Sequence, residues 1–442
     1  MSTLALARFQ FALTIAFHYL FPPLSIGLSV ILVVMEGLWL KTRLPLYRQM
    51  TRFWARVFGL VFALGVATGV VMEFEFGTNW ASYSRYVGDV FGSPLAAEGI
   101  FAFFLESVFL GLLLFGWDKV SPRIHFLSTV LVAVGAHLSA VWIVVANSWM
   151  QTPAGYHIVG EGPGARAEIT RFWEMVLNPS ALDRVAHVFL GAWQAGAWLV
   201  ISVGAYYLLK KRHLEFAKAF VKIGLGVAIV ASLGQLVSGH HSAIIVSRTQ
   251  PEKLAAFEGV YEANAPASAY VFGWVHEKDE RVSGLKIPGL LSWMVHGNPA
   301  KAVPGLRAFP RENWPPVNAT FQTYHVMVGI GFALIALAAL GVFYGMRGSL
   351  WDQRWLLNLF VIAVLGPQIA NQTGWFAAEM GRQPWIVYHL LRTSEGLSKV
   401  VPANMIRVSI VMFTLIYLLL LAVFLVLFYQ KIKLGPAEEG SV

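Results

Sequence analysis

Nine apolar stretches recur along the 442 residues, at roughly 8–40, 53–73, 95–117, 124–147, 185–209, 217–238, 322–346, 355–379 and 404–429. Each reaches the ~20 apolar residues that cross the hydrocarbon of a bilayer. In hydrocarbon every backbone N–H and C=O must be satisfied within the protein, and a helix does this from its own residues. The predicted fold class is therefore an all-α integral membrane protein with nine transmembrane helices. The charged fraction agrees: 13%, about half the ~25% of a soluble globular chain. The first stretch runs on into VVMEGLWL and is too long for the apolar region of a signal peptide, so no separate signal peptide is expected.

An odd number of crossings puts the termini on opposite sides. The first, third, fifth and seventh connections are short and basic (Lys41, Arg43, Arg48 and Arg52; Lys119 and Arg123; Lys210, Lys211 and Arg212; Arg347 and Arg354), and Lys431 and Lys433 follow the last span. Basic connections stay cytoplasmic, which predicts an N-terminus outside and a C-terminus inside. The net charge of +9 and pI near 9.6 are thereby accounted for without nucleic acid. Three regions follow: 1–238 with six spans, an extracytoplasmic connection at 239–321, and 322–442 with three spans and a short tail, PAEEGSV, read as a solvated end. The long connection carries Trp274, Trp293 and Trp314, which predict a folded cap lying against the membrane.

A charge inside hydrocarbon is costly, so buried acids there usually face a partner, a water-filled cavity or an ion path. The third span, LAAEGIFAFFLESVFLGLLLFGW, holds both Glu98 and Glu106. Eight residues turn a helix by about 80°, so the two acids face broadly one side and suit a proton relay through water. At ~1.5 Å per residue, the predicted topology brings His18, His187, Met327, Glu98, Trp375, Glu379 and Arg382 to the outer half as well. Glu98 and Glu379 lie near helix ends within reach of interfacial water, and Met327 alone reads as core filler. Glu106 is deeper and harder to explain structurally. The chain has no cysteine, which excludes disulfides, thiolate-held iron–sulfur clusters and covalent c-type haem, so redox chemistry would fall to His, Met, Glu or Asp. His and Met are axial haem ligands, and His18, His187, Met327 and Glu379 would suit more than one haem. The sequence does not fix how they pair.

The stretches RFQFALTIAFHYLFPPLSIG, FALGVATGVVMEFEFGTNW, YVGDVFGSPLAAEGIFAFFLES, VWIVVANSWMQTP, KLAAFE and GWFAAEMGRQPW closely resemble subunit I of the cytochrome bd-type quinol oxidases, in order and over nearly the whole chain. The resemblance implies a multi-pass subunit of the prokaryotic cytoplasmic (inner) membrane. Quinol would be oxidised at the outer face and O2 reduced to water with cytoplasmic protons, without pumping. His187 and Met327 would hold a low-spin haem b. His18 and Glu379 would serve a high-spin haem b and a haem d, or a further haem b in its place, with the assignment between them open. Glu98 and Glu106 match acids of haem support and proton delivery, with Ser139 a pathway residue. Trp375 matches an electron-transfer aromatic, Arg8 and Arg382 match basic residues near the haems, and Lys253 and Glu258 match quinol-loop residues. The implied partners are a homologous subunit II, a very small single-helix subunit, membrane lipid, quinol and O2.

Two departures stand out. His325 occupies a position where relatives carry arginine, which would alter the field at the low-spin haem, and the loop lacks a long C-terminal insertion. His240 and His241 stand where some relatives have acids, and read as interfacial loop residues rather than ligands. The competing class is a proton-coupled transporter using buried Glu and Arg, but neither inverted repeats nor mid-bilayer helix breaks are evident. A haem–copper oxidase would need a companion His-x-x-x-Tyr in the helix pattern, and none follows His240-His241 here. A dihaem cytochrome b would need paired histidines on two helices, whereas His125 and His137 share one.

Overall fold

The computed structural model describes residues 1–436; the terminal AEEGSV lies outside the described residues. Among those described, nine helical segments are long and apolar enough to cross a membrane: Thr3–Thr42, Pro45–Thr78, Gly88–Phe115, Pro122–Gln151, Ala181–Leu209, Leu214–Thr249, Val317–Met346, Arg354–Met380 and Ala403–Leu434. They are called the first to ninth spans below.

Three spans are irregular, and in two of them proline is the local cause. The first is two helices, Thr3–His18 and Pro22–Thr42. Pro22 and Pro23 lack the N–H that would continue the first helix, and the ring of Pro22 would collide with the carbonyl of His18. That carbonyl instead accepts from the N–H of Phe21 at 3.0 Å. His18 is thus the last residue of a half-helix rather than a mid-helix residue as expected. The third span contains a π-helical turn at Glu98–Phe103. The eighth splits into Arg354–Ile362 and Leu365–Met380, with Pro367 in the first turn of the second piece.

Several helices outrun their apolar stretches. The sixth continues past 238 to Thr249, and the seventh begins at Val317. The polar run SGHHS was read as the start of a loop. It stays helical because its backbone bonds are internal and its side chains find partners: His241 Nδ1 lies 2.8 Å from Asp183 Oδ1, and Ser242 donates to the same carboxylate. His240 and His241 are helical residues, which corrects the loop reading.

The connection at 250–316 folds as a cap. It contains the helix Pro251–Glu258, an antiparallel hairpin of Ala269–His276 with Arg281–Ile287, and the helix Leu290–His296. These share a core of Leu254, Tyr261, Val275, Leu291, Leu306 and Phe321. The main membrane core, built on Trp54, Phe58, Trp198, Tyr207, Phe220 and Phe360, fills the half nearest the basic connections. Near mid-span the first and fifth spans touch through Gly27 and Gly196, whose backbones meet so closely that a Cβ on either would overlap the other. Small residues permit such approach where lipid offers no hydrophobic drive. The opposite half is hollow.

Candidate functional site

The hollow is a cavity of about 1630 Å³, lined by residues of eight spans and of the cap. That exceeds the ~300–1,000 Å³ of an ordinary ligand pocket, so it accommodates more than one cofactor-sized molecule. Eleven expected site residues line it: Arg8, His18, Glu98, Glu106, Ser139, His187, Lys253, Met327, Trp375, Glu379 and Arg382.

His18 and His187 are both oriented by neighbours, but only His18 keeps a free nitrogen lone pair. His18 Nδ1 lies 2.9 Å from Thr68 Oγ1, whose hydroxyl hydrogen goes to the Leu64 carbonyl at 2.8 Å. Thr68 therefore accepts, Nδ1 carries the proton, and Nε2 keeps its lone pair. His187 Nδ1 lies 2.9 Å from Ser238 Oγ, while the Gln235 amide donates to Nε2 at 3.0 Å and occupies its lone pair, so Gln235 has to swing aside before that nitrogen can bind a metal. Orienting an imidazole through its second nitrogen is how proteins prepare a metal ligand. Glycines give these ligands room. A Cβ on Gly69 would sit 3.3 Å from the His18 ring, and one on Gly374 would sit 2.6 Å from Met327 Sδ.

Glu379 anchors a buried network. Its Oε1 accepts from Asn147 at 3.0 Å and Gln151 at 3.2 Å, and Oε2 pairs with Arg382. Arg184 donates to Asn147 Oδ1 at 2.5 Å, and Lys253 Nζ donates to Gln151 at 2.5 Å and Gln250 at 2.8 Å. Two arginines and a lysine thus face one carboxylate. Arg184 Nε and Arg382 Nε and Nη1 are buried without a partner. Orphaned guanidinium donors call for further anionic oxygen. Burial, reinforced by repulsion from Arg184 and Arg382, pushes the Lys253 amine well below its ordinary pKa.

The third span holds the two acids. Glu98 accepts from Ser139 Oγ at 2.5 Å, and Glu106 packs against Gly135 of the fourth span. A π turn accommodates one extra residue, so eight residues advance the face as seven would in a regular helix, leaving the acids about 20° apart rather than about 80°. Trp375 packs between Phe11, at 6.4 Å between centroids, and Phe376, at 5.2 Å.

Two expected residues do not line the cavity. Glu258 is buried in the cap beside Tyr324, and burial raises its carboxyl to about 7 against the opposing hydrogen bond from that tyrosine. His325 stacks on Phe321, and its nitrogens lie 2.8 Å from the Phe321 carbonyl and 3.1 Å from that of Tyr270. It ties the seventh span to the cap rather than lining the cavity. Sequence reading passed over Arg184, although a charge three residues before His187 in an apolar helix was a usable signal. Asn147, Gln151 and Gln235 are uncharged and gave none. His125 and His137 are engaged elsewhere, with Glu36 and Trp193.

Fold and cavity together define a multi-pass membrane protein with a cavity large enough for prosthetic groups, lined by imidazole, thioether and carboxylate side chains. The family model described as "Cytochrome bd terminal oxidase subunit I" matches residues 6–436. The "Cytochrome bd ubiquinol oxidase subunit 1" of Bacillus subtilis is 40% identical, covering 100% of this chain and 96% of the relative. The "Cytochrome bd-II ubiquinol oxidase subunit 1" of Escherichia coli is 36% identical, covering 99% and 97%. The solved bd oxidase of Geobacillus thermodenitrificans superposes with a TM-score of 0.92 at 28% identity, covering 98% of this chain and 99% of that one. The chain belongs to the cytochrome bd terminal oxidase subunit I family. It is accordingly a subunit of a prokaryotic membrane oxidoreductase with haem as its cofactor class, and the transporter alternative is not favoured.

Proposed function

We propose that this subunit, with a homologous subunit II, oxidises quinol at the outer face of the cytoplasmic membrane and reduces O2 to water with cytoplasmic protons. The observation that carries this reading is the cavity that gathers the ligand-type side chains of His18, His187, Met327 and Glu379, the basic side chains of Arg8, Arg184, Lys253 and Arg382, and the two acids of the third span. His187 and Met327 would hold a low-spin haem b. His18 and Glu379 would hold a high-spin haem b and a haem d, or a further haem b in its place. When bound, haem supplies a one-electron carrier and an open iron at which O2 is reduced. The orphaned donors of Arg184 and Arg382 suit its carboxylates, with Arg8 at the rim.

The remaining roles belong to the chain's own residues. Glu258 accepts a quinol proton, and Lys253, anchored by Gln151 and Gln250, holds the head group. Trp375 bridges the aromatic contacts between the first and eighth spans. Glu106 passes protons to Glu98, which Ser139 orients toward the cavity. Quinol releases protons outside while O2 chemistry takes them from inside, so a potential develops without a pumping stroke. The basic connections support this orientation. A very small third subunit and membrane lipid complete the proposed assembly.

The test is a reduced-minus-oxidised spectrum of the purified complex with analysis of the extracted haems, followed by quinol-dependent O2 uptake. Haem b with a long-wavelength chlorin band gives the bd type, and haem b alone gives the b-for-d version. An intact complex without haem would overturn the reading.

A further inference from the structure

A second buried cluster lies apart from the cavity, one to two turns inside the end that carries the basic connections. Glu36 of the first span and His125 of the fourth are 0% and 1% exposed, with Glu36 Oε1 2.6 Å from His125 Nδ1. Thr129 donates to the other carboxylate oxygen at 2.5 Å. Both oxygens of Glu36 are thus engaged, while His125 Nε2 is buried with no hydrogen-bond partner among the described residues. Its ring packs on Trp117, with centroids 4.0 Å apart. Outside lies a charged rim: Asp118 pairs with Arg48 at 2.6 Å and Arg52 at 3.5 Å, Arg52 lies over Trp117, and Arg43 and Arg48 lie over Trp39. An ionisable pair this dry inside a membrane helix is costly and is by default a sign of function.

Its place along the fourth span gives the function. His125, Thr129, Val132, Gly135 or Ala136, and Ser139 recur at helical spacing and form one stripe. Ser139 follows His125 by fourteen residues, about 21 Å along the axis. The stripe begins at Glu36 and His125, passes Glu106 where it packs on Gly135, and ends at Ser139 bonded to Glu98. Between Thr129 and Gly135 lies about 9 Å, closed by buried Val132.

We propose that Glu36 and His125, with Thr129, are the proton-uptake station that feeds Glu106. This rests on the reading that Glu106 and Glu98 conduct protons. A proton from water is taken at His125 Nε2, the Nδ1 proton passes to Glu36, and Thr129 and intervening water carry it onward. Tautomer exchange of the ring restores Nδ1–H, so one proton enters for each that leaves and only N–H and O–H bonds change. Val132 keeps this station from being in permanent contact with the outer cavity.

The test uses the complete oxidase in proteoliposomes, comparing Thr129→Val, His125→Gln and Glu106→Gln. Haem content, the haem spectrum and the rate of haem reduction by quinol are read beside proton uptake from the side of the basic connections. The expected result is unchanged haem and haem reduction in Thr129→Val and His125→Gln, with proton uptake slowed at least tenfold. Normal uptake in both while Glu106→Gln is blocked would overturn the station, even if yield or thermal stability falls. Normal uptake in all three would mean that the Glu106 path itself is wrong. Thr129→Val keeps the volume of the side chain and decides the matter where His125→Gln does not assemble.

Discussion

Glu106 and Glu258 are both buried carboxyls in different surroundings, and the roles proposed for them lead to different tests. Glu106 has Gly135 behind it, Glu98 about two turns away on nearly the same face, and it lines the cavity. A group that only relays protons can lose its charge without losing the fold. Glu106→Gln should therefore keep haem and quinol-driven haem reduction while O2 turnover falls by ~10²-fold or more, the scale of a lost acid–base group. Stopped-flow haem reduction beside O2 uptake measures the split, and normal turnover would remove Glu106 from the path. Glu258 sits in the cap with its carboxyl raised to about 7. As a base it works only when ionised. The ionised fraction rises with pH until about 7 and then saturates, so quinol oxidation should climb up to tenfold per unit on the acid side and level off above. Glu258→Gln should lower the rate and flatten that slope, whereas a slope that survives would place the base elsewhere.

At the level of the helices, much of the frame was legible because hydrophobic length and basic connections are composition-level signals. The breaks were less so. Pro22-Pro23 stood in plain view inside a stretch read as one helix, and its consequence is that His18 ends a half-helix. The π turn at Glu98–Phe103 has no residue signature, yet it sets the facing of the two acids. The sixth helix outlasts its apolar stretch because Asp183 satisfies His241 and Ser242, a tertiary fact invisible along the sequence. The site was legible in its charged and ligand-type members, less so in Asn147, Gln151 and Gln235, whose significance lies only in what they touch. Glycines are the other hidden part. Gly374 faces Met327 so closely that a methyl group would meet its sulfur. Overpacking of this kind costs about 1–3 kcal/mol, and a flexible thioether relieves it by moving. Gly374→Ala should shift or abolish the low-spin haem band while leaving the other haem signals in place. An unchanged optical spectrum would separate Met327 from that haem.

The molecule as a whole is divided across the membrane: close-packed around Trp54, Trp198 and Phe220 at one end, hollow beneath the cap at the other. This asymmetry gives the orientation its mechanistic weight. With the hollow half outside, the solid half is the barrier that protons must cross, and the few polar groups within it become the route. With the hollow half inside, the same residues would need no route at all, and the proton economy would reverse. The absence of cysteine makes orientation directly measurable, since an introduced thiol is the sole reactive one in the chain. Leu44→Cys places it in the first basic connection without altering charge, and Ala300→Cys places it on the exposed surface of the cap. On intact cells a membrane-impermeant maleimide should label Ala300→Cys at once and Leu44→Cys only after permeabilisation. The reverse pattern would put the cap and its proposed quinol residues in the cytoplasm, and quinol protons would then be released on the side from which O2 reduction draws them.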